Sequence, residues 1–545
     1  MPKTILNSAI LTALFTLTTV STQAAINMKP EAKQALISQR LEHIDMQTKE
    51  YIDQVLKQDA SIESIDLVVG KLDFNPTNQT AQSMDQLTIR LRGDEQAVEP
   101  IVIYANNHID YSDALNQQDI LARIDTEISL SDEQIKMLGE IENDNEVILY
   151  LKNLNKNLTV RTDLLADKQF KQYIALAPFT SEEAEGGKIV FEGLEVDTQA
   201  HDDTFIRGVG KTHFAMHKLL VERLKTVIDY DALAQLTTEQ QKALDEYPKI
   251  DSVETVLVLE PFTVDYELTE KGKLSLNSSP ISLASPFKGF TLNIENISGE
   301  GKLKYEEALD QHIGKSHFVV KDLTIFSDEK LKEALKIDSV TFDRDVQKNG
   351  KLYSEMGKFV VKADSKSFNQ LTDNKFQFKG IDFDYKVSNF SKNLLESVTN
   401  LGQLYNQGQH AWSEGNCQAM LEIVDDLVKN NTSLAETFAV RTDKGDAYLK
   451  IEASLRKGAD TKAWANACKA SDDAQWKQLL DKDVFYYAEI KVPVALTDAS
   501  DLSYMVEMMG APYVEKKGDV FSVVVENKGQ GMLVNGKPLT ENSAH

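Results

Sequence analysis

Residues 289–297 read GFTLNIENI, and residues 314–320 read GKSHFVV. The first run alternates apolar and polar side chains, the period of a half-buried strand. A polar stretch follows, then Gly314-Lys315 and a second alternating run. The plan recurs on either side. Residues 188–196 (KIVFEGLEV) precede Gly210-Lys211-Thr212-His213-Phe214, residues 337–342 precede Gly357-Lys358-Phe359-Val360-Val361, and residues 376–385 begin a further copy. Asn349-Gly350 is the dipeptide expected in the turn of one such hairpin. Repeated hairpins at irregular spacing predict one large twisted antiparallel sheet, not a solenoid of fixed period.

Outward from this centre, residues 31–57 carry an approximate apolar stripe that predicts a helix: Ala35, Leu36, Leu41, Ile44, Met46, Tyr51, Ile52 and Val55. Alternating runs at 65–74, 87–91, 100–104 and 147–151 suit strands. Ser131-Asp132-Glu133-Gln134 is a capping box for a short helix through Leu138. Helices are also expected over 217–247, with Thr238 and Gln241 as an internal cap and Pro248 closing it, and after Ser327. Beyond Phe390 the pattern changes. Leu394, Leu395, Val398, Leu401, Leu404 and Tyr405 sit at helical spacing, which continues over 418–429. Strands at 437–441 and 446–455, helices at 460–468 and 472–480, a segment at 501–509, and strands at 520–525 and 532–539 around Asn535-Gly536 complete the reading. The expected fold is α+β: a large curved antiparallel sheet of repeated hairpins flanked by helices, with a smaller carboxyl-terminal portion. Its segments are 25–180, 181–390 and 391–545.

The first 24 residues have the form of a secretory signal. Lys3 supplies the basic region, residues 5–20 are uncharged and largely apolar, and Thr22-Gln23-Ala24 ends on small residues, so cleavage is expected after Ala24. The alternative is an uncleaved inner-membrane anchor, but the run is shorter than the ~20 apolar residues a span requires. No other stretch is apolar enough to cross a bilayer. The expected address is the periplasm. In an exported chain the two cysteines, Cys417 and Cys468, are expected to form a disulfide. It closes a loop of about 50 residues, contributing on the order of 4 kcal/mol, and staples two helices.

The chain has 545 residues, 42% of them hydrophobic, with 59 Lys plus Arg against 85 Asp plus Glu and a net charge of -26. That length suits two to four domains, and the mixed charges argue against wholesale disorder. A field of that sign repels polyphosphate, so nucleic acid is a poor partner, and so is an anionic lipid surface approached without bridging cations.

Gly445-Asp446-Ala447-Tyr448-Leu449-Lys450-Ile451-Glu452-Ala453-Ser454-Leu455 resembles a signature of the YdgA-like family of bacterial envelope proteins. So do Met509-Gly510, Gly518-Asp519-Val520-Phe521 and Val534-Asn535-Gly536-Lys537-Pro538-Leu539. With the repeated strand–Gly–strand units, the resemblance covers most of the mature chain. It implies an envelope protein whose relatives begin with an amino-terminal membrane segment facing the periplasm. The family has no established activity, so no functional residue is carried over. The signal-like start is where this chain departs from it.

Several constellations fall short of a chemistry. Gly210-Lys211-Thr212 and Gly314-Lys315-Ser316 resemble the end of a phosphate-binding loop, but Phe205 and Leu309 stand where that loop needs Gly. His213 and His217 are spaced to share a metal, yet Phe214 replaces the Glu of a zincin. His213 and His317 occupy equivalent repeat positions, which points to a recurring strand environment. Asp343-x-Asp345 lacks the Gly and final Glu of a calcium loop. Glu142-Asn143-Asp144-Asn145-Glu146 fits a solvated loop. There is no G-x-S-x-G. Trp464, Trp476, Tyr486 and Tyr487 fit a core better than a sugar groove. No catalytic, cofactor-binding or metal-ligating residue emerges. The leading expectation is a non-enzymatic module binding a lipid, an envelope polymer or a protein. The alternatives are a hydrolase using unlocated carboxylates and a self-associating structural protein pairing through sheet edges.

Overall fold

Among the described residues the alternating runs form strands, the run at 65–74 being divided between Ile62–Val68 and Asp73–Asn75, and the strands pair antiparallel. The computed structural model describes residues 28–58, 62–91, 100–130, 135, 156–165, 167–182, 187–201, 204–228, 249–328, 331–406, 414–470, 473–500, 506 and 513–538. The chain divides into two units. One comprises Met1–Glu267, Ser278–Ile294 and Ile325–Lys330; the other comprises Leu268–Asn277, Glu295–Thr324 and Leu331–His545.

In the first unit, helix α1 (Pro30–Gln58) precedes the sheet. Strands β1 (Ile62–Val68) and β2 (Asp73–Asn75) both pair with β3 (Thr80–Leu91). Then follow β4 (Ile101–Asp110), β5 (Ile120–Ser129), β6 (Leu158–Leu165) and β7 (Gln169–Leu176), each beside the last. A hairpin of β8 (Phe179–Glu182) and β9 (Lys188–Phe191) comes next. Strand β10 (Leu194–His201) joins β7 to β11 (Gly210–Met216). Strand β12 (Leu219–Ile228) lies between β9 and β13 (Lys249–Leu259). Strand β14 (Phe262–Leu268) pairs with β11, and β16 (Ile281–Ser285) pairs with β13.

The sheet face beneath α1 is buried in a strict alternation. In β4 it presents Ile101, Ile103, Ala105, Asn107 and Ile109. Two apolar clusters occupy this face. One holds Leu87, Ile103, Val160 and Ile174; the other packs Ile37 and Ile44 of α1 against Ile109, Leu164 and Phe170. Asp85, Asn107, Thr126, Thr162 and Gln172 add buried polar positions to the same unit. They are satisfied internally: Asn107 donates to Asp85 at 2.7 Å, and Thr126 donates to Asn107 at 2.7 Å. The buried stripe of α1 is Lys33, Ile37, Arg40, Ile44 and Thr48, so it differs from the apolar one expected. Ala35 and Met46 face solvent, and the side chains of Tyr51, Ile52 and Val55 lie outside the described residues. Lys33, 1% exposed, donates to the Tyr111 carbonyl and to Asn116 Oδ1, each at 2.9 Å. Arg40 donates to the Leu165 carbonyl at 3.2 Å.

The helix expected over 217–247 is overturned where the structure describes it, because Leu219–Ile228 is β12. The run LLVERLKTVI fits either period, and two flanking strands supply the backbone partners that decide it. Ser327 ends a strand, and among the described residues no helix follows it before Leu335. The signal segment, the capping box, the strand at 147–151, residues 229–248 and most of 501–509 lie outside the described residues.

In the second unit, β15 (Lys273–Ser278) pairs with the later part of β17 (Phe290–Glu306), and β18 (Gln311–Ser327) follows. Strands β19 (Leu335–Asn349) and β20 (Leu352–Ala363) form the Asn349-Gly350 hairpin. A short helix α2 (Ser365–Phe368) leads to β21 (Phe378–Phe390), and β22 (Ser433–Thr442), β23 (Ala447–Leu455) and β24 (Val484–Pro493) continue the sheet in order. At its edge stand β25 (Glu515–Lys517), β26 (Val520–Asn527), β27 (Met532–Val534) and β28 (Lys537–Pro538). Helices fill the connections: α3 (Lys392–Asn406) and α4 (Glu414–Asn430) between β21 and β22, α5 (Thr461–Ala470) and α6 (Asp473–Asp483) between β23 and β24, and α7 (Val494–Ala499) after β24. Cys417 and Cys468 are bonded, with Cα atoms 5.7 Å apart, and so join α4 to α5. Among the described residues no helix is long and apolar enough to cross a membrane.

Candidate functional site

Register decides what each face of the second unit's sheet presents. Side chains alternate between faces along a strand, so residues paired across strands share a face. Asp343 pairs with Lys358, Lys358 with Asp384, and Asp384 with Thr437. Two residues along, Asp345 pairs with Met356, Met356 with Lys386, and Lys386 with Ala435. These two rows are the walls of a cleft of about 730 Å³ that reaches back to Lys273, Glu300, Lys302, Lys315 and His317. Gly301, Ser316, Arg344, Gly357 and Tyr385, which lie between these positions along the strands, line it as well. Cross-strand ion pairs order the walls. His317 Nδ1 lies 2.7 Å from Asp343, Lys315 lies 3.7 Å from Asp345, and Lys358 lies 3.1 Å from Asp384.

The opposite face is different. Phe342 pairs with Phe359, Phe359 with Phe383, and Phe383 with Phe438; Leu449, Ile490 and Val523 continue the same row. Seven adjacent strands thus contribute one apolar side chain each. None of the seven is buried: Phe359 is 36% exposed, Phe438 38% and Ile490 44%, and the others are half-buried. The row is roughly 29 Å long, from six inter-strand steps of about 4.8 Å. One step towards the helices lies a polar bridge. Arg344 donates two bonds to Glu355, at 2.9 and 3.1 Å, and the Tyr385 hydroxyl donates to Glu355 at 2.6 Å. Burial alone would raise the Glu355 carboxyl, but the bonds from Arg344 and Tyr385 outweigh it and hold it below its ordinary range. Burial and the Glu355 bond push the Tyr385 phenol up to about 12. Beyond this bridge the sheet is covered, where Val346, Tyr353 and Phe390 pack against Leu394, Ile423 and Leu427.

The residues singled out from sequence fall as follows. His213 and His317 occupy the same environment twice: His213 Nδ1 lies 2.7 Å from Asp265 in the first unit, as His317 does from Asp343 in the second. The lysine two residues earlier repeats as well, with Lys211 lying 3.1 Å from Glu267. His217 lies 3.9 Å from Glu195, so the two spaced histidines serve different carboxylates. Trp464 and Trp476 meet edge to face in the helical core, and Trp464 donates to Asp483 at 3.3 Å. Tyr486 and Tyr487 lie on β24, half-buried. Neither the phenylalanine row nor the lysines of the cleft stand out in the linear sequence. Their only signal is alternate apolar or basic positions in separate strands, which converge once register is known. No family model, no curated protein and no solved structure matches the chain.

Proposed function

We propose that the protein is a non-enzymatic binding module of the bacterial envelope, whose second unit holds an acyl chain of a lipid against its phenylalanine row. One observation carries this: seven apolar side chains stand in register across seven strands and none of them is buried. A contiguous apolar row left partly exposed in this way marks a ligand or partner site more often than a solvated face. The row is about twice as long as one acyl chain, which fills about half of a ~30 Å hydrocarbon core, so a chain laid along it is accommodated with room to spare. Each methylene removed from water contributes about 0.8 kcal/mol, so ten of them offset the ordering of a flexible chain. The signal-like start and the YdgA-like resemblance support the envelope address.

Titration with a fluorescent fatty acid tests the reading. The wild-type protein is expected to bind it saturably, and Phe383→Asp, at the centre of the row, to weaken binding by about tenfold or more. Equal binding by both proteins, with the variant folded by circular dichroism, would refute the assignment.

A further inference from the structure

The cleft on the polar face carries an unbalanced charge that the acyl-chain reading does not use. Five lysines line it, Lys273, Lys302, Lys315, Lys358 and Lys386, against Glu300, Asp343, Asp345 and Asp384. Three of those carboxylates are engaged: Asp343 by His317, Asp345 by Lys315 and Asp384 by Lys358. Lys273, Lys302 and Lys386 have no ion-pair partner among the described residues. Lys273 and Lys302 are moreover direct cross-strand partners. Like charges placed opposite one another on a sheet destabilise it, so the arrangement costs the fold unless something else is bound there. Lys315 stands on the next strand, where the chains approach closely: a methyl group at Gly314 would come within 2.3 Å of the Lys302 carbonyl oxygen. Three lysines on neighbouring strands, whose backbones lie about 4.8 Å apart, therefore line one end of the cleft, Lys315 also lying 3.7 Å from Asp345. In a chain of net charge -26 this is a local reversal of sign.

We infer that this end of the cleft, formed by Lys273, Lys302 and Lys315, is a binding site for a phosphate-bearing ligand. A phosphate or diphosphate group offers several charged oxygens within a few ångströms, and lysines meet such groups as point charges from more than one strand. The cleft volume of about 730 Å³ leaves room for a substituent beyond the phosphate. The site stands apart from the phenylalanine row, on the other face of the sheet.

Inorganic pyrophosphate is the probe for the site, followed by amide chemical shifts or calorimetry at low and high salt. The expected result is saturable binding that weakens as salt rises, falls about tenfold or more in Lys302→Ser, and is largely kept in Lys302→Arg. Glu300→Gln removes the one cleft carboxylate without an ion-pair partner among the described residues and is expected to tighten binding several-fold, a gain that misfolding does not imitate. No saturable shift, or equal affinity in wild type, Lys302→Ser and Glu300→Gln, would overturn the assignment. Vesicles of phosphatidylglycerol distinguish the sources. Flotation competed by pyrophosphate assigns the phosphate to a lipid headgroup, and pyrophosphate binding without flotation assigns it to a soluble ligand. Flotation without pyrophosphate binding would contradict the proposal, since the attachment then belongs elsewhere. Phe383→Asp is expected to leave pyrophosphate binding unchanged, which separates this test from that of the acyl-chain reading.

Discussion

Gly357 stands in the middle of β20 opposite Tyr385, and a methyl group there would come within 2.0 Å of the phenol ring. The Gly-Lys pairs of the repeats therefore have different physical causes. Gly314 sits at φ 130° with its neighbour's backbone 2.3 Å from the position of a Cβ, whereas Gly357 makes room for a ring. Gly357→Ala is expected to displace Tyr385, break its bond to Glu355 and cost about 1–3 kcal/mol, measured by denaturant unfolding. Its acid limb should change as well. A carboxyl held below its ordinary range contributes stability above about pH 4 and loses it as pH falls through the lowered folded value. With the Tyr385 bond gone, the loss on acidification should be smaller in the variant. At this scale the sequence is informative for the histidines, whose equivalence follows from the repeat, and silent about Glu355, whose partners come from two other strands.

Among the elements, α1 shows where periodicity misleads. Its boundaries are legible at once, but the stripe it buries contains Lys33 and Arg40, because the face beneath it offers the Tyr111 and Leu165 carbonyls and the Asn116 side chain as acceptors. An apolar-stripe reading has no means of anticipating acceptors more than 70 residues away in sequence. The helix also carries Asp45. Burial, the nearby Asp85 carboxylate and Glu42 raise its carboxyl to about 7. The folded protein then holds a proton that the unfolded chain releases near pH 4, so stability falls as pH rises from about 4 to about 7 and levels off above. Asp45→Asn is expected to raise stability at pH 8 by on the order of 1–3 kcal/mol and to flatten that slope. Thermal melts of both proteins between pH 5 and pH 8 measure it. Strand β12 is the converse case, an element whose type is settled by its two neighbours and not by its own residues. The helices after Phe390 and the Cys417–Cys468 bond are legible because local spacing and two lone cysteines carry the information.

Over the whole molecule, the repeated hairpins fix the antiparallel class, and alternation within each strand is enough to read it. The composition of the two faces is another matter. Phe342, Phe359, Phe383 and Phe438 span 96 positions of sequence, and they become one surface only when four strands pair in a definite register. The same holds for Lys273, Lys302 and Lys315 on the other side. Such surfaces arise from long-range pairing, which local sequence patterns do not encode. The most direct test of the phenylalanine row as a ligand surface is mass spectrometry of the protein purified gently without detergent, followed by solvent extraction and lipid analysis. A near-stoichiometric acyl lipid is expected on the wild-type protein, and its loss from Phe383→Asp. A folded wild-type protein at its bare mass, with no lipid in the extract, would contradict it.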